Sequence, residues 1–286
     1  MEDGFNTVSI IGVGLIGGSL ALALKKKSLT KEIIGYGRNE ERLKKALGAG
    51  IIDKFTTSIK DACKADAIVL ATPAGLFEKI AKEMVNYLQK GIIVFDVGSV
   101  KETVVKNLEK ILPEGVHFVG THPIAGSERE GFEYARENLF EGSRVIITPT
   151  ENTDRSAIEK VSMVWEKIGA HVEFMNINEH DRIYATVSHL PHLVSFCLVN
   201  TVSEIDKNFI KYAGSGFKSS TRIAKSSPEV WADIFAMNNE NILQCLEVFL
   251  KKLEEIKQML SKKELEGVKK FIEKAKRLRE EIDNVS

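Results

Sequence analysis

The chain is poor in cysteine and proline, has few aromatic residues and shows no excess of either charge. Its three cysteines, Cys63, Cys197 and Cys245, are far apart, odd in number and without metal-ligand spacing. A disulfide framework or a cysteine metal site is therefore not expected. The three read as small buried hydrophobes in a reducing compartment. Basic and acidic residues number 40 each, so the chain carries no overall electrostatic footprint for nucleic acid. The uncharged stretch from Gly4 to Leu24 follows Glu2 and Asp3 and precedes Lys25–Lys27. That is the reverse of a secretory leader, and the chain reads as cytoplasmic. Neither a nucleic-acid nor a membrane partner is expected.

What is present is enough for a large core: 286 residues, 43% of them apolar. At ~100–200 residues per domain, that length favours two domains. Through about residue 175 the sequence alternates. "VSIIGV", "EIIGYG", "AIVLAT", "GIIVFDVGS", "HFVG", "RVIIT" and "HVEFM" are short apolar runs, separated by helical patterns such as the charged Asn39–Ala49 segment and "IEKVSMVWEKIGA". Strands alternating with helices predict βαβ units in an α/β, Rossmann-type doubly wound parallel sheet over residues 1–175. Residues 176–286 read as an all-α domain. Its first helix, "EHDRIYATVSHLPHLVSFCLVNTV", is apolar over most of its length, with Pro191 as an expected kink. An apolar helix of this kind predicts burial against a second subunit, hence a homodimer.

"IIGVGLIGG" contains Gly12-x-Gly14-x-x-Gly17 between a strand and a helix, the context that turns a weak motif into a dinucleotide fingerprint. Gly12 permits the tight turn and Gly14 the close approach of a pyrophosphate. Gly17 permits helix–strand packing, and Leu15 and Ile16 open the helix whose N–H groups meet the phosphates. Thr72 and Pro73, closing "ATP" after a later strand, reach the same edge. At the end of the second strand "GYGRNEE" puts Gly37 where an acid usually binds the ribose 2′-hydroxyl, and Arg38 follows. Nothing there repels a 2′-phosphate and an arginine can pair with one, so the pattern leans to NADP. The alternative keeps NAD, with Arg38 stacked on adenine and Glu40 or Glu41 on the ribose.

Ligands in such folds bind beyond the carboxyl ends of the strands. "DVGSVK" and "GTHPIAGSE" both arrive there, which places Ser99 and His122 near the nicotinamide. His122 reads as part of a loop. An alcohol dehydrogenase needs a group to take the hydroxyl proton as hydride leaves, and histidine titrates in the useful range.

"GVGLIGGSLA", "DVGSVK", "THPIAGSE", "HDRIYATVSHLPH" and "GFKSSTRIAKSSPEVWADI" together resemble, in order, the prephenate dehydrogenase family, including its arogenate-using members. The resemblance runs from about Val8 to Leu250. It implies a Rossmann domain joined to a helical dimerisation domain, and oxidative decarboxylation of prephenate to 4-hydroxyphenylpyruvate in tyrosine biosynthesis. It implies that His122 accepts the ring hydroxyl proton and that Ser99 holds that hydroxyl or the histidine. Arg222 would pair with a substrate carboxylate, lined by His192 and His189. Glu128, beside Ser127, would be an active-site acid near that arginine. Ser219 stands where the family commonly has an acid, a departure that bears on any ion-pair gate with Arg222. No appended regulatory domain or fused mutase is expected.

Plainer readings exist beside these. His189 and His192 lie i,i+3 on one helix face, but no third ligand accompanies them, so no metal is expected and satisfied core histidines are the simpler reading. His180 with Asp181 reads as a helix start, Arg222 as a surface ion pair, Trp231 as core. A β-hydroxyacid dehydrogenase would need a lysine early on the first long helix of the second domain, and none precedes Lys207. Arogenate as substrate, or a non-catalytic NADP-sensing module, are the remaining alternatives.

Overall fold

The computed structural model describes residues 4–283. The alternation becomes β1 (Phe5–Ile11), α1 (Leu15–Lys26), β2 (Thr30–Tyr36), α2 (Glu40–Gly48), β3 (Lys54–Thr56), α3 (Ile59–Ala62), β4 (Ala67–Leu70), α4 (Phe77–Met84), β5 (Ile93–Asp96), α5 (Glu102–Ile111) and β6 (His117–Val119). These six strands form one parallel sheet in the order β3-β2-β1-β4-β5-β6. Val8, Ile10, Ile68, Val69 and Val94 are fully buried, because helices cover both faces. That is why the strands read as continuous apolar runs rather than alternating ones. Ile11 pairs with Tyr36 and Leu70, and Leu70 with Asp96, so four strands end at one level. The strand order reverses between β1 and β4, which opens the crevice at that edge.

The chain then builds a second sheet. β7 (Thr121–Pro123) pairs antiparallel with β8 (Arg144–Ile147), and β8 pairs parallel with β9 (His171–Phe174) after α6 (Arg155–Lys167). His122 therefore sits in a strand opposite Ile146, not in a loop as its proline and glycine neighbours suggest. Pro123 is tolerated because it lies at the end of an edge strand. Three residues were too few to carry an alternation signal.

Helices follow: α7 (Ile177–Tyr184), α8 (Leu190–Asp206), α9 (Ser215–Ser220) and α10 (Pro228–Met237). Asn176 caps α7 by accepting from the Asn178 amide at 2.9 Å. Between α7 and α8, Ala185–His189 form a π turn in which the Leu190 N–H reaches the Ala185 carbonyl. This widened turn sits directly before Pro191 and takes the place of the expected kink. Within one chain only Ser195 of α8 is buried, and Leu198 and Ile205 are exposed. The burial expected of this helix is not met in a single chain, because its apolar residues run around the helix and one chain covers a single stripe. Cys63 is buried, with burial pushing its thiol up to about 11, but Cys197 is exposed, against the expectation of three buried cysteines.

The chain divides into two compact units, Met1–Asn239 and Glu240–Ser286. The second consists of most of α11 (Asn239–Ser261) and of α12 (Leu265–Asp283), and leaves Leu250, Leu260, Ile272 and Leu278 exposed. Among the described residues no helix is long and apolar enough to cross a membrane.

Candidate active site

The glycine turn after β1 is built as the motif requires. Gly12 has φ 103°, and a Cβ there would stand 2.8 Å from the Ala71–Thr72 backbone. A Cβ on Gly17 would meet the Gly12 carbonyl at 2.3 Å. Gly14, in contrast, has nothing within 4 Å of an added Cβ. Its lack of a side chain serves no packing need, and it faces open space at the head of α1. That helix begins without a side-chain cap and without an acid in its first turn. The amides of Leu15, Ile16 and Gly17 are thus left for an anion, and the residues present fit a dinucleotide pyrophosphate. The Thr72 amide adjoins the turn at Gly12, and Pro73 follows it in the chain. Arg38 is exposed at the end of β2, and a Cβ on Gly37 would meet Leu43 first, at 3.6 Å. Space for an acid exists there, and the sequence leaves it unused.

Two strand ends away lies a buried polar network. Asp96 closes β5 and pairs with Lys101, both with fully buried side chains. Asp96 also accepts from the Gly98 amide at 2.8 Å and the Thr121 amide at 3.0 Å, and the Lys101 ammonium donates to the Thr121 carbonyl at 2.8 Å. Burial pushes the Asp96 carboxyl up and the Lys101 amine down, and each is opposed by the partner's charge. The pair anchors β7 against the end of β5, and so fixes the residue after Thr121.

That residue is His122, 8% exposed. Its Nδ1 lies 2.8 Å from His180 Nε2, and His180 Nδ1 lies 2.7 Å from Asp181 Oδ1. Asp181 in turn accepts the Lys101 amide at 2.8 Å and the Glu102 amide at 3.0 Å, at the start of α5. Tyr184 packs its ring on both histidines, with centroids 4.8 and 4.5 Å away. Burial, then the proximity of His180, Lys101 and His189, hold the His122 imidazole well below its usual range. It is neutral at pH 7, and its Nε2 makes no hydrogen bond among the described residues. Ser99, half-buried in the loop after β5, likewise makes no side-chain hydrogen bond there and does not touch His122 through one.

His180 and Asp181 are 0% and 1% exposed. They do lie in the first turns of α7, as the sequence suggests, but they are also the inner partners of His122, which the reading as a helix start missed. A signal was available: an acid next to a histidine on an otherwise buried face. Asp96 and Lys101 were missed in the same way, although an aspartate that ends an apolar strand five residues before a lysine is legible in "DVGSVK".

The π turn continues the same helical face with one extra residue per turn. His189 follows Tyr184 by five residues and is fully buried. Asn238 Nδ2 donates to the Asp181 carbonyl at 2.8 Å and to His189 Nδ1 at 3.1 Å, so the His189 proton is on Nε2. That atom is buried without a hydrogen-bond partner among the described residues. Burial lowers the His189 imidazole to about 4. His192, half-buried, donates from Nδ1 to the Ser188 carbonyl at 2.9 Å and stacks on Trp231 at 3.7 Å. Burial and the Arg222 charge lower it. Arg222 pairs with Glu128 at 2.7 Å, with side chains 59% and 24% exposed. Glu128 therefore supplies the acid that Ser219 does not. Ser127 accepts from the Arg129 amide at 3.2 Å. The segment that carries Ser127 and Glu128 also lies against α1. A Cβ on Gly126 would be 3.6 Å from Ile16, and the Arg136 amide donates to Ser19 Oγ at 2.9 Å.

The arrangement offers a neutral imidazole nitrogen with its lone pair uncommitted, an uncommitted hydroxyl and an exposed guanidinium, beside a nucleotide-binding edge. Comparison with known proteins identifies the family. Residues 20–174 match the family model described as prephenate dehydrogenase, nucleotide-binding domain, and residues 176–274 match its dimerization domain. A prephenate dehydrogenase of Bacillus subtilis is 33% identical, over 96% of this chain and 76% of its own. The crystal structure of an Aquifex aeolicus prephenate dehydrogenase, solved with hydroxyphenyl propionate and NAD+, superposes with a TM-score of 0.91 at 42% identity, covering 97% of this chain and 98% of that one. A Synechocystis arogenate dehydrogenase gives 0.79 at 27% identity, covering 96% and 99%. With both halves of the chain matched and the fold shared along its length, this protein belongs to the prephenate dehydrogenase family.

Proposed function

We propose that the chain is an NAD(P)-dependent prephenate dehydrogenase, with His122 as its general base. The observation that carries the base assignment is the His122 imidazole. It is buried, neutral, tied at Nδ1 and uncommitted at Nε2. NAD(P)+, when bound, supplies the hydride acceptor; Gly12, Gly14, Leu15, Ile16, Gly17, Thr72 and Pro73 would hold it. His122 Nε2 takes the 4-hydroxyl proton while the C4 hydrogen leaves as hydride and the carbon–oxygen double bond forms. The C1–carboxylate bond then breaks, CO2 departs, and the electron pair moves through the ring to the oxygen. His122 returns its proton there, so the ring ends as a phenol with no net proton released. Ser99 Oγ donates to or accepts from the same hydroxyl and orients it.

Arg222 binds a substrate carboxylate in place of Glu128. The exchange is easy because an exposed ion pair contributes little to folding. A planar guanidinium suits a carboxylate bidentately. His192 lines that pocket, backed by Trp231 and by the buried His189. Residues 1–175 form the dinucleotide-binding domain and 176–286 the substrate-binding and dimerisation domain. Two chains pair through the apolar helical surface that one chain leaves exposed. For the cofactor, the unused space at Gly37 and the exposed Arg38 support NADP.

The test is turnover with prephenate and arogenate, each with NAD and NADP. Prephenate with NADP is expected to give the highest kcat/KM. A protein that turns over neither substrate refutes the reading. His122→Asn is expected to lose about 100- to 10,000-fold in kcat with KM largely kept; wild-type turnover in that variant removes His122 from its role.

A further inference from the structure

We propose that Asp181 and His180 are positioning residues that set the tautomers of two imidazoles in series, so that His122 presents a lone pair at Nε2. The inference rests on His122 as the base, and it assigns the machinery that keeps it in the reactive form.

Several groups around the pair have fixed roles. A backbone N–H can only donate. Asp181 receives two of them, from Lys101 onto Oδ1 and from Glu102 onto Oδ2, at the N-terminus of the ten-residue α5. Both oxygens are acceptors, and the helix end favours the anion. Burial alone pushes the Asp181 carboxyl up, but the His180 contact and the two amides outweigh it and hold it below its usual range. The third partner, His180 Nδ1 at 2.7 Å, must then carry the proton. A neutral imidazole has one N–H, so His180 Nε2 is a lone pair. His122 Nδ1, 2.8 Å from it, must be the donor in that contact. The only nitrogen left without a proton on His122 is Nε2.

Each step depends on both rings being neutral, and the surroundings enforce that. The groups facing the pair are Lys101 with its partner Asp96, His189, Tyr184 and Asp181. Burial disfavours a charge on either ring and the Lys101 ammonium repels one; at His180 the Asp181 and Asp96 carboxylates favour a charge, and burial with Lys101 outweighs them. When His122 takes a proton from substrate, its Nδ1–H still donates to His180 and the carboxylate lies at the far end of the chain. No second proton has to move. In a free histidine the Nε2–H form is the commoner neutral tautomer, so an isolated His122 would turn a donor rather than an acceptor towards the hydroxyl. A wrong tautomer at a catalytic histidine is known to cost about 10,000-fold in a serine protease with its geometry intact.

The test reads tautomers directly, without substrate. In the full-length protein with 15N-labelled histidine, long-range 1H–15N spectra at pH 7.5 distinguish Nδ1–H from Nε2–H, and the His122 signal is assigned by its loss in His122→Asn. Both His122 and His180 are expected as Nδ1–H. His122 found as Nε2–H, or as imidazolium, overturns the proposal. Kinetics supply the second arm. His180→Leu removes the acceptor and is expected to lower kcat at least about 100-fold with KM nearly unchanged. His180→Gln keeps an acceptor oxygen near the same point and is expected to recover most of it. Equal losses in the two variants, or wild-type kcat in His180→Leu, overturn the proposal. Should His180→Leu fail to fold, the wild-type spectra decide alone. Because those spectra need no turnover, a protein inactive on both prephenate and arogenate would sink the functional reading and leave the tautomer assignment standing or falling by itself.

Discussion

Replacing Gly14 by alanine separates cofactor binding from folding, and the structure sets the size of each effect. An added Cβ at 14 meets nothing within 4 Å, and the residue sits at φ −106°, ψ −155°, an extended conformation open to alanine. The folded chain is therefore unstrained, and the lost freedom of the unfolded chain stabilises by up to about 1 kcal/mol. That raises Tm by no more than about 2–4 °C. The cofactor fares differently, because the methyl group stands where the pyrophosphate must approach the amides of α1. Losing one or two hydrogen bonds to a charged group, at about 1.5–3 kcal/mol each, raises Kd at least about tenfold and up to 100-fold or more. The assay is a thermal shift with NADP and with NAD. At ligand about 100 times the wild-type Kd, the wild type gains about 2.7 kcal/mol, and the variant gains between about 0.4 and 1.4 for Kd values raised 100- and 10-fold. Gly17→Ala is the contrast. Its Cβ would lie 2.3 Å from the Gly12 carbonyl, where no flexible side chain can yield, and it is expected to lose about 1–3 kcal/mol of stability. A Gly14→Ala protein with wild-type Kd, or one as unstable as Gly17→Ala, would refute the assignment of Gly14 to the phosphate cradle.

Other outcomes are expected from the same geometry. With His122 as the proposed base, active when unprotonated, and its folded value well below 6.5, kcat/KM should hold steady as pH falls through 6.5 and drop only below it; a half-maximum at or above 6.5 contradicts the buried, neutral imidazole. Folding stability should also decline on acidification. His189 binds its proton in the unfolded chain near 6.5 but only at about 4 when folded, so the loss runs through that window in urea titrations at stepped pH, and His189→Gln should lessen it. Arg222→Gln should raise the KM for prephenate at least about tenfold with little effect on cofactor Kd, whereas Glu128→Gln frees the guanidinium and should not raise it; a selective rise of the arogenate KM in Glu128→Gln would instead place that acid against an ammonium. Gly37→Asp, which the space beside Leu43 admits, should fold normally and shift kcat/KM from NADP towards NAD, and an unchanged ratio would remove the end of β2 from cofactor choice.

Much of this protein is legible in its residues one at a time. The fingerprint at Gly12, Gly14 and Gly17, the alternation that builds β1 to β6, and the placement of "DVGSVK" and "GTHPIAGSE" at the carboxyl edge follow from short-range rules of turn chemistry, burial and strand order. The kink expected at Pro191 is instead a π turn over Ala185–His189, with Pro191 in the first turn of α8. What sequence spacing could not supply is which polar groups meet across distant segments. His122 and His180 are 58 residues apart, and Glu128 and Arg222 are 94 apart. Nothing in either stretch alone distinguishes a helix-start histidine from one whose Nε2 faces the His122 ring. Such contacts depend on how β7, α5 and α7 pack, and on a buried Asp96–Lys101 pair that fixes where β7 lies. Local periodicity and backbone freedom were enough for the six-stranded sheet and its glycine turn, but not for the three-residue β7 or the π turn before Pro191. The protonation state and direction of His122 were decided only by tertiary structure, because a tautomer is chosen by the neighbour that accepts its proton.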